Sequence, residues 1–292
     1  MDTRSEIMML AGAGFAPGHG MDVYARRTLT LALSGGTHSA FTWGMLDRLL
    51  DEPGLFIAGI AASGFDAMNG AVLAYGLALG GRRGAQTALA NFWRRISHAA
   101  ISGPMQLSLH DQAAGIRLHN EVRLLPSLER TSSLQPSPLR SLLRATIDLE
   151  AVQTARHQVK LSVRARNART GADRIFAGDE ISIDAIVAAA TTPFLFRPIE
   201  IDGELYWSSD ANAEPFPTTR LDDMPDLLVV SHEVFESRMS FRHRRPAADQ
   251  RRSASVQFGQ ETDWGSLTEL RDSGRDQAEN WLAANCWVID AR

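Results

Sequence analysis

The sequence contains very little cysteine and very little lysine. Cys286 is its single cysteine, which excludes an internal disulfide framework and any cysteine-rich metal site. Lys160 is its single lysine, so arginine supplies nearly all of the positive charge. The net charge is −4 at pH 7, and a chain with this acidic balance is not expected to be a dedicated nucleic-acid-binding protein.

Long hydrophobic runs are missing as well. The most apolar stretch, residues 67–81, contains glycine and tyrosine and is shorter than the roughly 20 apolar residues that a membrane-spanning helix needs. The N-terminus carries Asp2, Arg4 and Glu6 without an apolar core, so no secretory signal is expected. A single cysteine suits a reducing compartment, and the sequence therefore predicts a cytoplasmic protein.

The order of the apolar runs predicts an α/β fold. Hydrophobic residues make up 44% of the chain and charged residues 22%, as is typical of globular proteins. A β-rich run at 28–33 leads into a glycine loop, apolar residues then recur at helical spacing over 40–51, and a second apolar run covers 57–61. This alternation is typical of a central, mostly parallel sheet flanked by helices.

Further elements are predicted beyond residue 61. Helices are predicted at 67–79, 84–97, 183–190 and 267–284, and strands at 159–166, 199–201, 204–207 and 227–231. Asp202 and Gly203 form a two-residue hairpin signal between two of these strands. The weakly patterned residues 98–138 are predicted to be a surface excursion or cap, and the basic, proline-broken residues 238–252 to be a loop.

Three separated segments contain the motifs that carry chemistry. Residues 33–41 (LSGGTHSAF) form a glycine loop ahead of a helix, residues 60–70 (IAASGFDAMNG) a tight strand-to-helix junction, and residues 199–215 (IEIDGELYWSSDANAEP) a hairpin that leads into a polar loop. In this order and spacing the segments resemble the patatin-like phospholipase family. The resemblance covers about residues 28–285 and implies that family's three-layer α/β domain there, with an N-terminal extension at 1–27 and a C-terminal tail at 286–292.

The resemblance also implies a reaction and the residues that would perform it. In the family a serine on a strand-to-helix elbow attacks an ester carbonyl, an aspartate activates the serine, and backbone N–H groups of the glycine loop hold the oxyanion. Here the nucleophile position is Gly64 and the aspartate position is Ser208, so both members of the dyad are substituted. Ser34, Gly35 and Gly36 match the glycine loop and are candidate anion-binding residues.

The junction offers two interpretations of its polar residues. Asp66 replaces a glycine of the elbow, and a carboxylate beside a helix N-terminus is expected to compete with a bound anion. Ser63 and Asp66 also fit a capping box, in which the serine hydroxyl accepts the N–H of residue 66 and the carboxylate reaches back to residue 63. The alternative is that Ser63 is a displaced nucleophile, with Asp210 or His38 as its base.

The sequence therefore predicts a patatin-like domain that has lost lipid acyl hydrolase activity and instead binds a lipid or acyl ligand, or a protein partner. The alternative is an active serine lipid acyl hydrolase that uses Ser63. No metal or cofactor is predicted, because the histidines do not cluster at metal-binding spacings. The basic residues Arg242, Arg244 and Arg245 are interpreted either as a solvated loop or as a peripheral contact with anionic lipid headgroups.

Overall fold

Eight strands and six helices make up the part of the chain that the structure describes. This computed structural model describes residues 27–35, 39–102, 136–193, 196–209, 227–233, 236–241 and 263–290. The strands are β1 (Arg27–Gly35), β2 (Leu55–Gly64), β3 (Lys160–Asn167), β4 (Asp173–Ala177), β5 (Ile199–Ile201), β6 (Glu204–Ser208), β7 (Leu227–Glu233) and β8 (Glu236–Phe241). The helices are α1 (Ser39–Asp51), α2 (Asp66–Ser102), α3 (Leu139–Arg144), α4 (Leu149–Thr154), α5 (Ile183–Ala190) and α6 (Trp264–Asp290).

The strands form one mixed sheet in the order β5-β6-β3-β2-β1-β7-β8, with β4 also paired to β3. The four central strands are parallel, since β1 pairs in parallel with both β2 and β7, and β2 pairs in parallel with β3. β4 and β6 run antiparallel to β3, and β8 runs antiparallel to β7. β5 is antiparallel to β6 and so runs with the central strands, which gives five of the eight strands one direction. The predicted mostly parallel sheet is confirmed.

The helices that flank the sheet are held by apolar burial. Most residues of α1 are buried, and its largest side chain, Trp43, is fully buried. α5 is buried from Ala185 to Ala190, as expected for a helix that is apolar all round. It begins where the Ser182 hydroxyl accepts a hydrogen bond from the Ala185 N–H at 3.0 Å, and it ends before Thr191. The prediction of this helix from the sequence is confirmed at both ends.

A pair of glycines breaks the longest helix. The sequence predicts two helices, at 67–79 and 84–97, and the structure joins them in α2 with non-helical backbone angles at Gly80 and Gly81. Gly81 has a φ of 57°, a conformation that side chains with a Cβ rarely adopt. The kink folds the two segments against each other, since a Cβ on Gly76 would lie 2.4 Å from the Cα of Ala85.

Two glycines also permit close packing between α1 and α6. A Cβ on Gly44 would lie 1.8 Å from the carbonyl oxygen of Arg271, and a Cβ on Gly274 would lie 2.1 Å from that of Phe41. Arg275 of α6 then forms ion pairs with Asp47 and, at 2.7 Å, with Asp51 on α1. The two helices therefore form one unit through backbone contact and charge. α6 continues to Asp290, across the predicted domain boundary at residue 285.

Some predicted regions differ from the structure or lie outside it. The predicted loop at 238–252 is wrong at its start, because residues 238–241 belong to β8 and pair with β7. The rest of that segment, most of the excursion at 98–138 and nearly all of the extension at 1–27 lie outside the described residues. The proposed domain limits stay a prediction. Among the helices of the described ranges, none is both long enough and apolar enough to cross a membrane.

Candidate functional site

The carboxyl ends of β1 and β2 meet at one edge of the sheet. Ser34 is the register partner of Ser63, and Gly35 is the register partner of Gly64. β1 ends at Gly35, within the predicted glycine loop, and α1 begins at Ser39. Ligands in open α/β sheets bind at the carboxyl ends of the strands, so these residues mark the place where a ligand is expected.

Gly64 forms the turn between β2 and α2. It is the last residue of the strand, the helix begins two residues later, and its φ is 64°. A non-glycine residue held in this left-handed region is strained, and a sharp strand-to-helix turn of this kind is how an elbow presents a nucleophile. The predicted junction is therefore present, and its central residue has no side chain. Glycine adopts the conformation without steric cost.

Ser208 lies at the same level of the sheet as Gly64. Ser63 pairs with Arg164 on β3, and the next residue of β3, Ala165, pairs with Ser208 on β6. Gly64 follows Ser63 and is therefore level with Ala165. Because β3 lies between β2 and β6, Gly64 is two strand spacings, about 10 Å, from Ser208. The two positions at which the family resemblance predicts the dyad therefore lie at the same end of the sheet.

The hydroxyl of Ser208 is engaged with its own neighbour. It donates a hydrogen bond to the Ser209 carbonyl at 3.1 Å, and the Ser208 N–H donates to the Thr191 carbonyl at 2.8 Å. Ser209 is 4% exposed. Ser208 thus joins β6 to the end of α5, and a hydroxyl there supplies neither the negative charge nor the basicity of a carboxylate.

Ser63 is buried, and the predicted capping box is wrong. Ser63 is 3% exposed. Within the described part of the chain, no hydrogen bond joins the Ser63 side chain to residue 66. The candidates Asp210, His38 and Gly36 lie outside the described residues. The assignment of Ser63 as a displaced nucleophile stays a prediction.

Asp66 connects the elbow to the first helix. Its carboxylate accepts hydrogen bonds from the Thr42 hydroxyl at 3.0 Å and from the Asn69 amide at 2.9 Å, and the Ser39 side chain also hydrogen-bonds to it. Asn69 donates a second bond to the Ser39 carbonyl at 2.8 Å and accepts one from the Trp93 indole at 3.0 Å. This set of five residues, which we call the Asp66 cluster, is buried throughout.

Burial raises the pKa of Asp66 to about 6, and the hydrogen bonds from Ser39, Asn69 and Thr42 oppose that rise. The sequence predicts that this carboxylate competes with a bound anion. Instead both carboxylate oxygens accept internal hydrogen bonds, and the residue is 0% exposed. Asp66 thus holds the start of α1 against the elbow.

Comparison with known proteins identifies the family of the chain. The family model for patatin-like phospholipase matches residues 31–211, more than half of the chain. The chain belongs to the patatin-like phospholipase family. A crystal structure of VipD from Legionella pneumophila is similar over 71% of this chain and 50% of VipD, with 14% sequence identity and a TM-score of 0.39. The match therefore spans about half of VipD. No curated protein matches the chain.

Aromatic side chains pack behind the elbow of this patatin-like domain. Phe65, next to Gly64, lies 5.9 Å from Trp93 between ring centroids, and Trp93 stacks on Trp43 at 6.0 Å. Trp43 in turn lies 5.9 Å from Trp264 at the start of α6. Trp93, a member of the Asp66 cluster, is thus also part of this aromatic packing. Spacing alone did not identify Thr42 or Trp93 as parts of the site, because both are 24 residues from their hydrogen-bond partners.

The described residues of this patatin-like domain contain no group of three or more His, Cys, Asp or Glu side chains placed to hold a metal ion. At this edge of the sheet the register places Ser34 beside Ser63 and Gly35 beside Gly64, and Ser208 lies two strands away from Gly64. Such a set can bind through hydrogen bonds, whereas acyl transfer would require an exposed nucleophile and a base.

Proposed function

We propose that this patatin-like domain does not hydrolyse acyl esters and that it binds a lipid or acyl ligand, or a protein partner, at the carboxyl ends of β1 and β2. One observation carries the proposal: Gly64 occupies the elbow, in the conformation that a family nucleophile would need, and offers no nucleophilic atom. Every covalent route through the family mechanism begins with that atom.

The second position of the dyad supports the same conclusion. Ser208 is uncharged at neutral pH, and its hydroxyl is a hydrogen-bond donor to the Ser209 carbonyl. A general base must accept a proton in the transition state, and a serine hydroxyl without a neighbouring base does not do so near pH 7. Restoring only one member of the dyad would therefore leave the reaction incomplete.

A ligand-binding role requires less than catalysis does. Gly35 ends β1 beside Gly64, so two residues without side chains adjoin the candidate site. Backbone N–H groups near a helix N-terminus bind carboxylates and phosphates, and α1 begins four residues after Gly35. We expect Ser34, Gly35 and Gly36 to take part in such binding. An acyl chain with an anionic or carbonyl head would fit this chemistry.

The location of the protein is part of the proposal. We propose that the domain works in the cytoplasm and that Arg242, Arg244 and Arg245 let it contact anionic lipid at a membrane surface, since each such arginine is worth about 1 kcal/mol near an anionic bilayer. Sedimentation with vesicles of phosphatidylcholine alone and with added phosphatidylserine measures this contact. Replacement of all three arginines by glutamine should abolish any preference for the anionic vesicles.

Labelling with a fluorophosphonate probe tests the loss of hydrolysis directly. The purified protein is treated beside an active patatin-like enzyme, and modified residues are located by mass spectrometry. We expect labelling of the enzyme and none of this protein. Labelling at Ser63 that disappears in Ser63→Ala would overturn the proposal and establish the alternative, a hydrolase with a displaced nucleophile and Asp210 or His38 as its base.

A further inference from the structure

The Asp66 cluster places a carboxylate where three hydrogen-bond donors converge, and no positively charged side chain of the described residues is paired with it. Its donors are the hydroxyls of Ser39 and Thr42 and the amide of Asn69. A buried charge that is hydrogen-bonded but not paired with an opposite charge is costly. The folded structure therefore disfavours the ionised form of Asp66.

The cluster is also the direct polar connection between the first turn of α1 and the elbow. Ser39 and Thr42 lie in that turn, whereas Asp66 and Asn69 lie in the first turn of α2. The bonds from Thr42 to Asp66 at 3.0 Å and from Asn69 to the Ser39 carbonyl at 2.8 Å join the two helices, as does the contact between Asp66 and the Ser39 side chain. The bond from Asn69 to Asp66 at 2.9 Å lies within the first turn of α2. A change in the carboxylate acts on both helices at once, because every one of its partners lies in one or the other.

Protonation changes these bonds unequally. The hydroxyls of Ser39 and Thr42 can turn and accept a proton from the carboxylic acid, because a hydroxyl is both a donor and an acceptor. The amide nitrogen of Asn69 only donates, and it continues to donate to the unprotonated oxygen. The neutral acid thus keeps its hydrogen-bond partners and leaves no charge buried. The ionised carboxylate is solvated by water only if the junction opens, so ionisation favours opening.

We propose that Asp66 is a proton-operated clasp: protonation fastens the first turn of α1 to the elbow, and ionisation makes that junction open more readily. Local opening of this kind would make the geometry of the elbow, and so the candidate ligand site beside it, dependent on pH. The inference does not depend on whether the domain hydrolyses esters. It goes beyond the proposed function because it concerns how the site is regulated.

The electrostatic surroundings support the clasp. The pKa of Asp66 is raised by burial from 3.8 to about 6, and no charged side chain of the described residues contributes to that shift. The charged groups on the helices packed around it face other partners: Asp47 and Asp51 pair with Arg275, Arg48 with Glu279, Arg94 covers the Trp264 ring, and Arg271 covers the Trp43 ring. Among the described residues at this junction, Asp66 is thus the group whose pKa burial raises into the range between pH 5 and 7.5.

Hydrogen–deuterium exchange measured by mass spectrometry tests the clasp in the full chain. Exchange of a peptide covering residues 39–46 is compared at pH 5 and pH 7.5, with correction for intrinsic rates and with the α5 peptide as internal reference. If opening releases Asp66 from a pKa of about 6 to 3.8, linkage gives an increase of about tenfold in the opening equilibrium between these pH values. Equal protection of residues 39–46 at both pH values would overturn the proposal.

Three variants separate Asp66 from other titrating groups. In Asp66→Asn the side chain stays neutral, so the pH dependence of the 39–46 peptide should disappear, whereas Asp276→Asn on the exposed face of α6 should leave it unchanged. Thr42→Val removes one donor to the carboxylate, which should move the pH midpoint of opening upward. A dependence that persists in Asp66→Asn would assign the effect to another group and refute the clasp. The wild-type and Thr42→Val measurements decide the matter if Asp66→Asn does not fold.

Discussion

Gly35 on β1 and Gly64 on β2 are register partners at the carboxyl ends of two parallel strands. In a family whose chemistry needs a nucleophile on the second of these strands, the pairing leaves two adjacent residues without side chains. Ser208 is level with them on β6. The positions at which the resemblance predicts the dyad are therefore level with each other in the sheet, and neither carries the side chain that the family reaction needs.

Restoring both side chains should restore a reactive serine. In the double variant Gly64→Ser with Ser208→Asp, we expect fluorophosphonate labelling at position 64 and slow hydrolysis of a short-chain nitrophenyl ester. A serine at a φ of 64° costs about 1–2 kcal/mol, which an elbow nucleophile tolerates. Asp66 stays unchanged because it holds α1.

The single variants are the controls for that experiment. Gly64→Ser alone lacks the base and Ser208→Asp alone lacks the nucleophile, so each should label at least 100-fold more slowly than the pair, in line with the roughly 10²–10⁴-fold contribution of general base catalysis. A double variant with a native circular dichroism spectrum and no labelling would mean that this site cannot be reactivated through the dyad.

The Ser63 hydroxyl should contribute little to stability. A serine that caps a helix contributes about 0.5–2 kcal/mol, and Ser63 does not make the bond to residue 66 that a cap requires. We expect Ser63→Ala to lower the free energy of unfolding by less than the loss of such a cap would. Ser182→Ala is the matched control, because Ser182 does cap α5 and its loss should cost about 1 kcal/mol. Chemical denaturation of both variants measures the difference, and equal losses would show that Ser63 also acts as a cap.

Local sequence signals predicted the elements that they define. α5 was predicted at both ends from an apolar run followed by Thr191, Thr192 and Pro193, and in the structure the Ser182 hydroxyl caps its first turn. The hairpin of β5 and β6 was predicted because Asp202 and Gly203 adopt the positive φ values of 53° and 76° that such a turn demands. In contrast, the sequence did not predict β4 (Asp173–Ala177), whose pairing with β3 is set by the sheet and not by its own five residues.

The site was predictable in its backbone and not in its hydrogen bonds. The order and spacing of the motifs predicted that Gly64 and Ser208 lie at strand ends, because the matching segments in the family end at the same places. The partners of Asp66 could not be predicted, because a capping box is a local pattern and Thr42 belongs to another helix, 24 residues away. Which donor reaches a buried carboxylate depends on how α1 packs on α2, and that is decided by tertiary contact.

Close packing of α1 on α6 should make Gly44 intolerant of any side chain. In Gly44→Ala the new methyl group would meet the Arg271 carbonyl at 1.8 Å, so the helices must separate. Such overpacking costs about 1–3 kcal/mol. Gly54→Ala is the control, because nothing lies within 4 Å of its added Cβ, and its effect should stay within about 0.5 kcal/mol. Thermal unfolding of the two variants tests this, and a Gly44→Ala protein as stable as Gly54→Ala would contradict the contact.

The buried carboxylate should make the folded protein less stable as the pH rises from 4 to 6. Asp66 has a pKa of about 6 in the folded state against an ordinary value of 3.8, so the folded state holds more protons in that range. Its contribution is fully present below pH 4 and is lost as the pH rises through about 6, a decrease of about 3 kcal/mol. The free energy of unfolding, measured by urea denaturation at several pH values, should therefore fall more steeply for the wild type than for Asp66→Asn. Because other carboxylates titrate in both proteins, the difference between the two curves isolates Asp66, and parallel curves would show that its pKa is not raised.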